Sequence, residues 1–268
     1  MHILFIGYGK TSQRVAKHLF EQGHQISTIS QSQKTDTYAT HHLQDMHQLD
    51  LNHFDPIDMV YVLVTPSQRG IEAYQQTYVE SVVPIVQELK NHPVKRLVVV
   101  SSTRVYGEHA GEYVDDESPI CPSDAQGHIL QKMEQLWQSY FPKAIIVRPT
   151  GIYGTSIARL KKLAQQSQVY PSWHWSNRIH IDDLAKFLAM LAGLENIENS
   201  YIVSNNQPLA MHEILLWLQQ QLHLPQLKLL STQYTGKRIY ATRLTQLDFQ
   251  WVHPNCFLDY AKMLDEEK

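Results

Sequence analysis

The chain predicts an α/β fold, a doubly wound parallel sheet with helices on both faces and a smaller lobe formed by its C-terminal part. Two observations carry that prediction. Apolar runs without alternation, the mark of parallel strands buried on both faces, occur at His2-Ile3-Leu4-Phe5-Ile6, at 58–64, at Leu97-Val98-Val99-Val100 and at 143–147. Stretches with helical periodicity separate them, which is the pattern of a parallel sheet covered on both sides. After about residue 150 the pattern changes to short polar and aromatic segments. The main domain is therefore assigned to 1–150 and the lobe to 151–268, with segments of the lobe returning to the main sheet.

The first strand runs straight into Gly7-Tyr8-Gly9-Lys10-Thr11-Ser12. A helical pattern follows, with Val15, Ala16, Leu19 and Phe20 on one face and Gly23 as its stop. Strand, glycine turn and helix are the context of the Rossmann-type dinucleotide fingerprint. The first glycine makes the tight turn, the second lets the backbone approach a pyrophosphate, and the helix N-terminus offers N–H groups and a positive dipole. Ser12 stands where the third glycine is usual and is small enough for close packing. Gly7, Gly9, Lys10, Thr11 and Ser12 are thus candidate cofactor-binding residues; an ordinary βα turn is the competing reading.

The second strand, His24–Ile29, should end near Ser30. A site for NAD(H) usually has an acid here to accept from the ribose 2′-OH. This chain has Ser30-Gln31-Ser32-Gln33-Lys34, and the next acid is Asp36. Hydroxyls, an amide and a lysine suit a 2′-phosphate better, so NADP(H) is preferred, with NAD(H) as the alternative. A solvated polar loop without such a role is the competing reading of Ser30, Gln31, Ser32 and Lys34. The third strand ends at Val64-Thr65-Pro66, and a long helix is expected from about Gly70 to Asn91, kinked or restarted at Pro84.

The strand at 97–100 leads into Ser101-Ser102-Thr103-Arg104-Val105-Tyr106-Gly107. Ligands bind at the C-terminal ends of strands in open α/β sheets, so this polar cluster is placed for chemistry or for holding a cofactor. A helix is expected over Asp124–Tyr140, with Ile129, Leu130, Met133, Leu136 and Trp137 on one face. In the lobe, helices are expected over Asp182–Leu194, with Asp182 as N-cap, and over Leu209–Leu222.

Composition narrows the function. With 268 residues the chain can bury a substantial core. A net charge of −3 gives no basic footprint for nucleic acid. No segment approaches the ~18 apolar residues of a membrane helix, and no signal-peptide pattern precedes Gly7. The two cysteines, Cys121 and Cys256, have no zinc spacing and are too few for a disulfide framework. A cytoplasmic protein is expected. His41, His42, His47 and His53 cluster in a polar, irregular region, where solvated surface histidines are expected and no metal.

Four motifs in order resemble the extended short-chain dehydrogenase/reductases, the NAD(P)-dependent epimerase/dehydratase group. They are the turn at 7–12, Ser101–Gly107, Arg148-Pro149-Thr150-Gly151-Ile152-Tyr153-Gly154, and Asn177-Arg178-Ile179-His180-Ile181-Asp182-Asp183-Leu184-Ala185. The resemblance implies that Ser102 hydrogen-bonds the substrate oxygen, with Ser101 beside the cofactor. It also implies that Thr65 and Pro66 pass the cofactor ribose and that Pro149 and Thr150 lie beside the nicotinamide. The region of Trp173-His174-Trp175 approaches substrate in this family, so the two indoles are candidates to stack on a sugar or aromatic ring. Arg104 and Arg178 are further substrate candidates. Partners implied are a dinucleotide and a small carbonyl or sugar-type substrate, with the protein a monomer or a homodimer formed through the helices near 73–89 and 124–140.

The departure from the family lies on the helix after the serine strand. Family enzymes carry a Tyr there and a Lys four residues on. Aligned on Gly127 and Glu134, this chain has Gln126 and Leu130, and neither can titrate near neutral pH. A shift of two residues gives His128 and Lys132, at the cost of about 200° of rotation about the helix axis. Tyr106, Tyr153, His128 and Arg104 are the remaining candidates for moving a proton. Three readings follow: an NADP-dependent oxidoreductase or epimerase-like enzyme, a non-catalytic NADP(H)-binding sensor, or a scaffold in which cofactor binding itself has decayed, which only Ser12 and the missing ribose acid support.

Overall fold

The computed structural model describes residues 1–68, 70–107 and 110–266. Its strands in chain order are β1 His2–Ile6, β2 Gln25–Ser30, β3 Thr40–Leu43, β4 Met59–Val62, β5 Arg96–Val100, β6 Ala110–Val114, β7 Ile145–Pro149 and β8 Gly151–Tyr153. They continue with β9 Val169–Tyr170, β10 Trp173–Ser176, β11 Arg178–His180, β12 Ser200–Val203, β13 Leu209–Ala210, β14 Lys228–Leu229 and β15 Tyr234–Ile239. The helices are α1 Lys10–Glu21, α2 Ile71–Tyr74, α3 Val82–Leu89, α4 Ala125–Tyr140, α5 Ala158–Gln166, α6 Ile181–Met190, α7 Met211–Gln221, α8 Thr242–Gln246 and α9 Cys256–Glu266.

Seven strands form the main sheet in the order β12-β7-β5-β4-β1-β2-β3. The pairs β1–β2, β1–β4, β2–β3, β4–β5 and β5–β7 are parallel, with Ile6 opposite both Ile29 and Val62. Strand order reverses at β1, so the C-terminal ends of β1 and β4 mark the topological switch point where ligands bind. Every residue of β1, β4 and β7 is buried, which is why these runs lack alternation. The doubly wound α/β architecture is the one the apolar runs predict.

The chain divides into two compact units. The first comprises 1–107, 120–148 and 184–201; the second comprises 108–119, 149–183 and 202–268. The first unit thus recruits α6 from far along the chain. Arg96, at the start of β5, donates to the carbonyls of Leu191, Ala192 and Leu194, the orphan acceptors beyond the end of α6. This helix stops four residues earlier than its apolar pattern predicts, because 191–193 close as a turn onto those carbonyls' neighbours.

The segment expected as one helix at 70–91 is three pieces. Between α2 and α3 the residues Gln75–Glu80 form a π-helical stretch. Pro84 has no N–H for the carbonyl of Glu80, and the Ser81 hydroxyl takes the carbonyl of Thr77 at 2.7 Å. Both defects loosen the ladder ahead of the proline. A second difference concerns the histidines. His41 and His42 lie on β3, a sheet edge rather than an irregular region. The Nδ1 of His41 is 2.8 Å from the Thr28 hydroxyl, and both rings are half-buried.

The second unit has its own core. Tyr153, Ile157, Ala164, Ile214, Leu215, Leu218, Leu227, Cys256, Tyr260 and Leu264 pack together from α5, α7 and α9. Buried Gln219 holds the end of α5, donating to the carbonyls of Ala164 and Ser167 and accepting from the N–H of Leu227. Four strands, β13-β10-β15-β6, form its main sheet. Neither α5 nor α9 stood out in the sequence, since each buries only a narrow stripe. Among the described residues no helix is long and apolar enough to cross a membrane.

Candidate dinucleotide and catalytic site

The glycine turn builds a cradle at the switch point. Gly7 has φ +88°, and a Cβ there would sit 2.2 Å from the carbonyl oxygen of Leu63. Only glycine allows that approach. The N–H of Gly7 bonds the Ile29 carbonyl at 3.0 Å, the N–H of Leu63 bonds the Ile6 carbonyl at 2.9 Å, and the Ser12 hydroxyl bonds the Gly7 carbonyl at 2.9 Å. Ser12 is buried, so it packs the helix onto the strand as a third glycine would. Gly9 caps α1 without a side-chain acceptor, and a Cβ on it meets nothing within 4 Å. The first turn of α1 carries no acid, and Lys10 is exposed there. Open space above Gly9, free helix N–H groups and an adjacent lysine fit a pyrophosphate.

A cavity of about 250 Å³ opens from this turn. Of the residues singled out in the sequence, Gly7, Gly9, Ser30, Gln31, Ser32, Lys34, Val64 and Thr65 line it. Lys10, Thr11 and Ser12 stand at the adjoining helix start, and Pro66 is half-buried next to Thr65. Tyr8, Ile29, Gln44, Met46 and Leu63 also line it and were not singled out. Gln44 and Met46 follow β3, whose polar sequence hid its place beside β2. A second cavity of about 420 Å³ shares Gln31, Met46 and Thr65 with the first and adds Asp45, His47 and Glu80. The backbone and side-chain hydrogen bonds from His47 hold the Asp45 carboxyl below its usual range.

The serine strand ends over a buried charge network. The Ser101 hydroxyl donates to Glu134 at 2.5 Å. Arg148 forks onto Glu134 with contacts of 2.7, 3.1 and 3.3 Å, and its remaining arm donates to the Tyr106 hydroxyl at 2.8 Å. Burial works against the guanidinium charge, and the hydrogen bonds and charge of Glu134 outweigh it, so Arg148 is held above its ordinary value. Tyr106 is buried, with its oxygen committed to this network. Ser102 is partly exposed, and its hydroxyl accepts from the N–H of Arg104 at 3.2 Å. Arg104 also binds both oxygens of Asp124, the N-cap of α4. That pairing holds the Asp124 carboxyl below the usual range.

The two registers on α4 are told apart by burial. Leu130 is in the core, 2% exposed, and Gln126 is half-buried on the first turn. His128 and Lys132 are exposed on the outer face. Gly127 lies where a Cβ would come 2.9 Å from Pro122.

The remaining candidates belong to the second unit. Thr150 is buried, with its N–H and hydroxyl on the Val203 carbonyl; Pro149 precedes it. The Tyr153 hydroxyl donates to Asp259 at 2.6 Å, and burial followed by that carboxylate pushes its pKa far upward. Trp173 and Trp175 share one face of β10 with ring centroids 6.1 Å apart, and Arg238 lies 5.7 Å over the Trp175 ring. His174, on the other face, meets the Thr235 hydroxyl at 3.0 Å. Arg178 is buried and bonded to the Tyr260 hydroxyl and to Ser176. Among the described residues, His180, His253 and Asp259 bring potential metal ligands within 4.8 Å of one another. The two rings stack at 3.6 Å, and the Nδ1 of His253 is 2.7 Å from Asp259 Oδ1.

Comparison with known proteins places this arrangement. No functionally curated protein matches the chain. A provisionally assigned NAD-dependent epimerase/dehydratase from Methylobacillus flagellatus is 27% identical over 99% of this chain and 98% of its own, with a TM-score of 0.83. A UDP-galactose 4-epimerase shares the fold at 18% identity and TM-score 0.79, covering 100% of this chain and 99% of that one. So does the UDP-glucuronic acid 4-epimerase of Bacillus cereus in complex with NAD, at 16% and 0.78 over 94% of each chain. The model of the NAD dependent epimerase/dehydratase family matches residues 7–203, from the glycine turn to the edge strand β12, and the chain belongs to that family.

Proposed function

We propose that this chain binds NADP(H) in preference to NAD(H) and uses it in oxidoreductase or epimerase-type chemistry on a small carbonyl or sugar-type substrate. The observation that carries the reading is the cavity at the glycine turn. Lys34 is its one charged lining residue among those described, no carboxylate lines it, and Ser30, Gln31 and Ser32 supply neutral donors. A 2′-phosphate is favoured by that lining, whereas NAD(H) sites rely on an acid. Gly7, Gly9, Lys10 and Thr11 would hold the pyrophosphate, and Val64, Thr65 and Pro66 the ribose side. When bound, the nicotinamide supplies hydride transfer. Ser102 would hydrogen-bond the substrate oxygen, with Arg104 beside it. Pro149 and Thr150 would lie near the nicotinamide. Trp173 and Trp175 offer ring faces to a substrate, and His174 and Arg178 brace that sheet.

A second reading, a non-catalytic NADP(H)-binding sensor, is favoured by the helix α4. Gln126 does not titrate, Leu130 is sealed in the core, and the hydroxyls of Tyr106 and Tyr153 are already engaged. His128 and Lys132 are exposed on the outer face of that helix.

Calorimetric titration with NADPH and with NADH tests the shared part of both readings. Tighter NADPH binding is expected, and equal or absent binding overturns it. NADPH oxidation followed by absorbance over a panel of carbonyls and nucleotide sugars then separates them. Turnover supports the enzyme; saturable binding without turnover supports the sensor.

A further inference from the structure

The first acid after β2 in the sequence, Asp36, is held out of the cavity lining. Tyr8, between the two glycines of the turn, lines the cavity, and its hydroxyl is bonded to a residue outside that lining. Its hydroxyl donates to Asp36 Oδ1 at 3.0 Å. The ring is buried, edge-on to Phe5 at 6.2 Å and tilted against His41 at 5.1 Å. Burial, and then Asp36, push the Tyr8 pKa up, so the phenol remains a proton donor.

Asp36 is tethered around that contact. Its Oδ1 also accepts from the N–H of Tyr38 at 3.3 Å, and its carbonyl meets the Nε2 of His41 at 3.0 Å. His41 is anchored in turn to Thr28 of β2. The second carboxylate oxygen, Oδ2, is buried and has no protein partner. A buried carboxylate oxygen without a donor is costly, so this placement depends on the donors that Oδ1 finds. Without the phenol, the carboxylate gains by turning toward water and toward the loop that walls the cavity.

We propose that Tyr8 is a specificity-determining residue, which fixes the preference for a 2′-phosphate by sequestering Asp36 from the ribose end of the cavity. The inference rests on the NADP(H) reading above. A carboxylate released beside the site would repel a 2′-phosphate and accept from a 2′-OH.

Calorimetric titration of NADPH and NADH into four proteins tests it: the parent, Tyr8→Phe, Asp36→Asn and the double variant. In Tyr8→Phe the ratio of NADH to NADPH dissociation constants should fall by at least about fivefold. Asp36→Asn should keep the parent ratio, and the double variant should return to it. An unchanged ratio in Tyr8→Phe overturns the proposal. So does a double variant that stays as altered as Tyr8→Phe, since the effect would then come from the lost phenol alone. Tyr8→Leu removes the same hydroxyl and gives the same readout should the phenylalanine variant not fold. A parent without NADPH preference fails the underlying reading and takes this proposal with it; a parent with that preference and an unchanged Tyr8→Phe fails the proposal alone.

Discussion

Substitutions at the two glycines of the turn should have opposite consequences. Gly7→Ala places a methyl 2.2 Å from the Leu63 oxygen and 2.8 Å from its carbonyl carbon, at a residue with φ +88°. The left-handed conformation costs about 1–2 kcal/mol for a residue with a Cβ. Relief of the clash must move backbone by about 1 Å, which strains the bonds from Gly7 to Ile29 and from Leu63 to Ile6. Each is worth about 0.5–1.5 kcal/mol, so the whole loss is about 2–5 kcal/mol. In a chain of this size that lowers Tm by roughly 4–20 °C. At Gly9 an added Cβ meets nothing within 4 Å and φ is −95°, which any residue adopts, so Gly9→Val is free of backbone strain. It should melt within about 2 °C of the parent yet lose NADPH binding, because the side chain fills the pyrophosphate approach. Circular dichroism melting and calorimetric titration of both variants provide the check. A Gly7→Ala protein as stable as the parent, or a destabilised Gly9→Val that still binds, would refute the reasoning.

Three further outcomes are expected. Glu134→Gln leaves Arg148 buried without its counter-charge and should cost about 3–5 kcal/mol in denaturant unfolding, while Glu134→Met with Arg148→Met together should recover most of it; a double variant less stable than the single one would contradict this. His180 is held neutral, below its ordinary value of 6.5, by burial and then by the neighbouring His253. The unfolded chain therefore binds more protons below about pH 6.5, so stability should fall with acidification through that window, and His180→Asn should flatten the fall in a series of melts. Ser102→Ala should leave NADPH affinity unchanged and lower any turnover by roughly 10–100-fold, and unchanged turnover would remove Ser102 from the chemistry.

Much of this was legible in the chain because it is local. The glycine turn at 7–9 and the unalternating strands report directly on sterics and burial. The serine cluster follows β5 immediately, and its place at a strand end follows from topology. What was hidden depends on partners distant in sequence. Tyr8 reads as the middle residue of a turn, and only the fold brings Asp36 to its hydroxyl. Arg148 read as part of a motif, yet its partner Glu134 lies on the preceding helix, and the two are visible as a pair only once β7 and α4 are packed. The histidines of β3 read as solvated because an edge strand buries little, so it lacks an apolar signature. The π-helical stretch at 75–80 sits beside two defects in the helical ladder, the Ser81 hydroxyl on the Thr77 carbonyl and the missing N–H of Pro84, which periodicity does not register.

The interleaved chain path also governs how this protein can be made. The edge strand β12 completes the main sheet beside β7, with Ile146 bonded to Asn199 and Thr150 to Val203. The ribosome finishes β7 at Pro149 and must then polymerise all of α5, α6 and the strands between before β12 emerges. At 5–20 residues per second that interval lasts roughly 3–11 s. Throughout it the nascent sheet has an open, apolar parallel edge, the kind of surface that pairs with a neighbouring chain. Slow translation between residues 150 and 203 would lengthen that exposure, so synonymous codon choice in this stretch is a lever on yield independent of the protein's final stability.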